Sequence, residues 1–146
     1  MNTITLERQF TAAAPIPERA ASAGATEGGV QALLRLEGAA ALAGSVIAYR
    51  ATGGDWLFFA ALFLLPDLSM LGYLINRRVG APIYNAAHTY LAPAALAVLG
   101  WSLGSTALVQ GAFIWAGHVG FDRLMGYGLK YARGFGATHL GQRGKA

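Results

Sequence analysis

WLFFAALFLLPDLSMLGYLI, residues 56–75, runs for twenty residues with one charged side chain, Asp67. At ~1.5 Å per residue, a helix of this length reaches ~30 Å, the hydrocarbon thickness of a bilayer. The stretch shows no period-two alternation, so it reads as a transmembrane helix and not as a strand. Three further apolar runs flank it, Leu33–Ala51, Ala81–Leu99 and Thr106–Tyr127. Turns at Gly53–Asp55, Asn76-Arg77-Arg78 and Ser102–Ser105 separate them, and Pro82 is acceptable in the first turn of the third run. Backbone amides cannot stay unpaired in lipid, so runs of this length must be helical. Small residues at four-residue spacing, Ala112, Ala116 and Gly120, permit close helix approach. The expected fold is all-α, a membrane-embedded up-down four-helix bundle over residues 31–131.

Composition agrees. The 146 residues are 55% hydrophobic and 12% charged, against roughly a quarter charged in soluble domains. There is no cysteine, which removes disulfides, thiolate metal sites and a thiol nucleophile. The net charge of +4 does not point to nucleic acid, because the basic residues form no stripe with interleaved aromatics. They mark topology instead. Arg8, Arg19, Arg35, Arg77, Arg78, Lys130, Arg133, Arg143 and Lys145 all fall on the side where the first helix begins, and only Arg50 falls on the other. The positive-inside bias makes the first side cytoplasmic and puts both termini there, in an inner-membrane, multi-pass protein whose partners are membrane lipids. Residues 1–30 lack a periodic apolar face and the h-region of a signal peptide, and read as a disordered tail. Residues 132–146 form a cytoplasmic segment.

Ionisable residues inside a bilayer are costly and default to functional candidates. Each predicted helix carries at least one: Glu37, Asp67, His88 beside Asn85, and His118 with Asp122 and Arg123. Up-down connectivity collects them in the cytoplasmic half, with Asp67, His88 and His118 in a deep layer and Glu37, Asn85 and Asp122 in a shallow one. This nitrogen-and-oxygen set suits a divalent metal such as Zn, Mn or Fe, with Asp67, His88, His118 and Asp122 as ligands. Such an ion acidifies water, and Tyr84 or Glu37 can act as proton donor or acceptor with Asn85 alongside. The glycine-punctuated, basic segment after Tyr127 is placed to fold over the cytoplasmic mouth. Arg123, Lys130 and His139 would then contact a substrate anion, with Arg133 also able to meet a phosphate or head group.

Each of these residues has a plainer use. Asp67 follows Pro66 and can satisfy backbone groups freed by a kink. His88 can be an interhelical hydrogen-bonding residue, Glu37 can pair with Arg35, and Arg123 can snorkel to the interface. The segment after Tyr127 can be a simple interfacial anchor. Three functional readings stay open: a metal-dependent membrane enzyme of hydrolase type acting on a lipid or amphipathic substrate, a haem protein with His88 and His118 as axial ligands, and a proton or solute relay. The relay requires a homo-oligomer, because four helices are few for alternating access. A purely structural polar network is the fourth alternative.

The segments Leu34-Arg35-Leu36-Glu37-Gly38, Pro66-Asp67-Leu68-Ser69, Tyr84-Asn85-x-x-His88-x-Tyr90 and His118-x-Gly120-x-Asp122-Arg123-x-x-Gly126-Tyr127, closing with Thr138-His139-Leu140-Gly141, carry a resemblance. Over about Leu34 to Gly141 the chain resembles small bacterial membrane proteins grouped as domain of unknown function 4260. That resemblance implies an integral-membrane helical bundle and no particular activity.

Overall fold

The computed structural model describes residues 25–143. Five α-helices, a 3₁₀ helix and a short hairpin follow in order: α1 (Gly28–Ala51), α2 (Trp56–Phe63), the 3₁₀ helix (Leu65–Leu74), α3 (Arg77–Ala87), α4 (Leu91–Ser102), α5 (Thr106–Met125), β1 (Ala137–Thr138) and β2 (Gly141–Gln142). Most of the expected N-terminal tail lies outside the described residues, and α1 already begins at Gly28.

Two of the four helices expected as continuous are broken, each by proline. Pro66 has no N–H and its ring crowds the carbonyl four residues back, so α2 stops at Phe63. The chain continues as 3₁₀, with the Asp67 amide donating to the Leu64 carbonyl at 3.1 Å. Pro93 acts the same way on the third run, which turns at His88–Tyr90 between α3 and α4. Pro82 also sits in the interior of α3 and not in its first turn, because that helix starts earlier, at Arg77, where the Asn76 side chain accepts from the Val79 amide at 3.0 Å. With 11 and 12 residues, α3 and α4 are each too short to cross a bilayer alone. By length and apolarity, Gly28–Ala51 and Trp56–Leu74 are long enough to cross a membrane.

Neighbouring elements pack antiparallel through small residues. On α1 and α5, Gly38 meets Gly120 and Arg123, and Ser45 meets Gly117. A Cβ added to Gly120 would lie 2.7 Å from the Leu42 amide nitrogen, so the backbones touch. Gly100 of α4 seats Leu108 and Val109 of α5, and Gly80 of α3 seats the Tyr73 ring of the 3₁₀ helix. Buried positions mix large side chains, Tyr49, Tyr84, Ile114 and Leu140, with small and polar ones such as Ser45, Ala81, Ala112, His88 and His118, while Leu57, Leu74, Leu91 and Trp101 are exposed.

After α5 the chain turns back over the bundle end. Gly126, at φ +82°, ends the helix in the left-handed region that favours glycine, and the Tyr127 amide donates to the Asp122 carbonyl at 2.7 Å. Asn85 then clamps Lys130: its amide donates to the Lys130 carbonyl at 2.9 Å and its oxygen accepts from the Lys130 amide at 2.7 Å. The hairpin pairs Ala137 with Gln142 and Thr138 with Gly141. Its tip is tied to the start of α1, where the Thr26 amide donates to the His139 carbonyl at 2.8 Å and the Gln31 side chain donates to the Leu140 carbonyl.

Candidate metal centre

Asp67, His88, His118 and Asp122 converge, each offering one ligand atom, with all four atoms within 4.8 Å of one another. His88 Nε2 lies 3.4 Å from Asp67 Oδ1, 3.6 Å from Asp122 Oδ2 and 3.2 Å from His118 Nε2. His118 Nε2 lies 3.6 Å from Asp67 Oδ1. With metal–ligand bonds of about 2.1 Å, tetrahedral ligand atoms stand roughly 3.4 Å apart, so these four can hold a metal ion.

The interruptions of the helices place these groups. Pro66 breaks the second run one residue before Asp67 and turns its carboxylate toward the two histidines, not back to its own helix. His88 caps α3 as its backbone leaves helical geometry. Its Nδ1–H donates to the Tyr84 carbonyl at 2.9 Å, which fixes the tautomer and turns the Nε2 lone pair into the cluster. His118 and Asp122 stand one turn apart on α5. Asp122 nonetheless brings its Oδ2 to 3.6 Å from His88 Nε2, within the same group as His118. Asp122 therefore belongs with the deep layer and not with the shallow one that counting turns predicts. The Tyr84 hydroxyl donates to Asp122 Oδ2 at 3.0 Å and its ring stacks on His88. Both histidines are buried, whereas the Asp67 side chain is 39% exposed and leaves the cluster an open side.

The other expected site residues are put to different uses. Glu37 is exposed on α1 and outside the cluster. Asn85 spends its amide on the Lys130 backbone and so holds the cap instead of facing the cluster. Lys130 is buried: its ammonium donates to the Phe135 carbonyl at 3.2 Å and lies over the Tyr84 and Phe135 rings. Burial pushes the Lys130 ammonium below the usual lysine range, although Asp122 and Asp67 favour its charge. Arg123 Nη1 approaches His139 Nε2 at 3.0 Å, and its guanidinium lies over the Tyr90 ring. His139 Nδ1 accepts from the Leu129 amide at 2.9 Å. Burial, with the neighbouring Arg123 charge, holds His139 below its ordinary value.

Two features escaped the sequence. A cavity of about 530 Å³, lined by Leu62, Pro66, Ser69, Ala87, Leu96 and Trp115 among others, lies against the segments that carry Asp67 and His88. Nothing in a uniformly apolar run marks it. The second is the seat of His139, where a Cβ on Gly128 would meet the ring at 2.6 Å. Gly128 was the available signal, one of several glycines after Tyr127.

Residues 31–142 match a family described as Domain of unknown function (DUF4260). No curated protein and no solved structure matches the chain.

Proposed function

This chain belongs to the DUF4260 family, and we propose that it is a metal-dependent membrane enzyme of hydrolase type, acting on an amphipathic substrate reached from the cytoplasmic leaflet. The observation that carries the reading is the convergence of Asp67, His88, His118 and Asp122 from three separated segments, with ligand atoms at coordination spacing. Carboxylates and neutral imidazoles favour Zn²⁺, Mn²⁺ or Fe²⁺. A divalent ion held there supplies Lewis acidity and an acidified water. The chain's own contribution is orientation: Tyr84 steadies both His88 and Asp122, and Asn85 closes the cap over them.

Membrane embedding is part of the same proposal. An exterior rich in large apolar side chains, with buried His88 and His118 inside, suits lipid better than water. Two stretches have the length and apolarity to span, and in this reading α3 with α4, and α5, complete an up-down bundle with cytoplasmic termini in an inner membrane. The apolar cavity beside the ligand-bearing segments suits a hydrocarbon portion of the substrate.

Haem fits poorly. Axial nitrogens stand roughly 4 Å apart across a metal with bonds of about 2.0 Å, with a porphyrin between them. His88 and His118 meet at 3.2 Å with ring planes at 66°, and Tyr84 covers His88.

Elemental analysis of the detergent-purified chain tests the centre. We expect one equivalent of Zn, Mn or Fe, lost in the His88→Ala/His118→Ala double variant. Metal retained by a folded double variant, or no uptake by the wild type from any of the three, overturns it.

A further inference from the structure

We propose that Arg123 and the Nε2–H of His139 form a subsite for a phosphoryl-type oxyanion, set at the cap beside the four-residue cluster. The inference rests on the metal-enzyme reading only for calling that anion part of a substrate, and its own geometry is independent.

The argument begins with proton bookkeeping on one ring. His139 Nδ1 accepts from the Leu129 amide at 2.9 Å. A neutral imidazole has one lone pair and one N–H, so the proton sits on Nε2. That nitrogen faces Arg123 Nη1 at 3.0 Å, and a guanidinium only donates. Two donors thus meet with no acceptor between them. The amide of Leu129 is fixed by the turn, and the Leu129 carbonyl accepts from the His139 amide at 3.1 Å, so the ring cannot escape by inverting its tautomer. A single oxygen accepting from both donors resolves the conflict. Arg123 Nε is also buried with no hydrogen bond in range, and the guanidinium lies beside Tyr90, whose hydroxyl is buried and equally open to a partner.

Nearby charge selects the class of anion. Arg35 donates to the Leu124 carbonyl at 2.8 Å, and the Arg143 guanidinium lies over the Tyr127 ring, so three guanidiniums surround the end of α5. The nearby carboxylates among the described residues are Asp122, next to Arg123 in the chain, and Glu37, exposed and one residue from Gly38, which packs on Arg123. An excess of fixed positive charge with forked donors suits a multiply charged, tetrahedral oxyanion. Arg123 and Leu129 line one closed crevice with His88 and Asp122, which sets the subsite next to the ligand-bearing side chains. Lys130 takes no part, because its ammonium is spent on Phe135 and two ring faces.

The test uses the full chain with ¹⁵N-labelled histidine in a phosphate-free maltoside detergent. Long-range proton–nitrogen correlation reads the tautomer of His139 directly, and we expect the Nε2–H form. Inorganic phosphate should move the Nε2 resonance saturably, and Arg123→Gln should weaken that binding by about tenfold or more. A parallel arm adds phosphatidylglycerol to the micelles: a response there alone assigns the anion to a lipid head group, and a response to both admits free phosphate. An Nδ1–H tautomer overturns the proposal, as does an Nε2 resonance that neither source moves or a response untouched by Arg123→Gln. Glu37→Gln is the internal control: if it alone displaces the Nε2 resonance in anion-free detergent, Glu37 is the acceptor and the subsite is wrong. Metal content measured on the same samples keeps the two readings apart, since loss of anion response with metal retained sinks only the subsite.

Discussion

The Tyr84 ring lies flat on the His88 imidazole, with centroids 3.7 Å apart and planes at 11°, while its hydroxyl donates to Asp122 at 3.0 Å. One side chain thus steadies two groups of the cluster from two different elements, and it is itself buried on α3. Its carbonyl does a third job by accepting from His88 Nδ1–H. Partners of metal ligands set ligand orientation, and their loss weakens metal affinity by roughly 10- to 100-fold. Tyr84→Phe keeps the stack and removes only the hydroxyl. We expect metal affinity to fall within that range, measured by competition with a chromophoric chelator, while the variant stays folded. Unchanged affinity would mean that the Tyr84 hydroxyl does not orient a metal ligand.

The Asn85–Lys130 clamp can be opened without touching the cluster. Asn85→Ala strips partners from one amide and one carbonyl of Lys130, each costing about 1–3 kcal/mol if left buried and unpaired. Thr26, Gln31 and Arg123 still hold the hairpin tip, so the loss should appear as local opening at Lys130 and not as global unfolding. Hydrogen exchange at the Lys130 amide should accelerate by at least about tenfold, with proteolysis near the exposed Arg133 rising in step. The metal content should stay at the wild-type level. Protection unchanged at Lys130 would remove the clamp from the account.

How much of this was legible follows from where period and composition speak. The runs around Leu33–Ala51 and Thr106–Tyr127 became α1 and α5 with ends shifted by a few residues, because nothing within them opposes a helix. The other two runs contain Pro66 and Pro93, and apolarity hid the breaks that those rings impose. The convergence of Asp67, His88 and His118 was legible because depth along each helix can be counted, whereas counting turns sets Asp122 in the shallow layer, away from the group it joins. The uses of Asn85 and Lys130 were not, since they depend on a cap whose path is set by single glycines and side-chain bonds across 45 residues. A buried lysine between aromatic rings leaves no periodic trace. Nor does a histidine tautomer, which is decided by one backbone amide.

Two glycines on adjoining helices separate packing from propensity. A Cβ on Gly120 would stand 2.7 Å from the Leu42 nitrogen and 2.8 Å from the Gly38 oxygen, and backbone cannot step aside as a flexible side chain does. Gly120→Ala must therefore push α1 off α5, and overpacking of this kind costs about 1–3 kcal/mol. Gly44 lies on the same helix as Gly38 with nothing within 4 Å of an added Cβ. Gly44→Ala should leave stability unchanged or raise it by up to about 1 kcal/mol through helix propensity. Thermal melts in one detergent read both. Equal effects of the two substitutions would contradict the backbone contact.

The cap should also respond to acid through His139. Burial, with the Arg123 charge beside it, holds His139 below the usual histidine value of about 6.5. The unfolded or undocked segment therefore binds a proton more readily than the docked one. Stability of the cap then rises with pH. The contribution of His139 is fully present above about pH 6.5 and is lost as pH falls through the lower docked value. At the atomic level, protonating Nδ1 would set it against the Leu129 amide that now donates to it. Acidification from pH 7.5 to pH 5 should speed exchange of the Leu129 amide beyond the intrinsic pH effect and increase cleavage at the cap. His139→Gln, which carries no titrating ring, should flatten that dependence while leaving the Asn85 clamp in place. A cap equally protected at both values in the wild-type chain would show that His139 keeps its ordinary basicity when docked, contrary to its buried seat against Gly128.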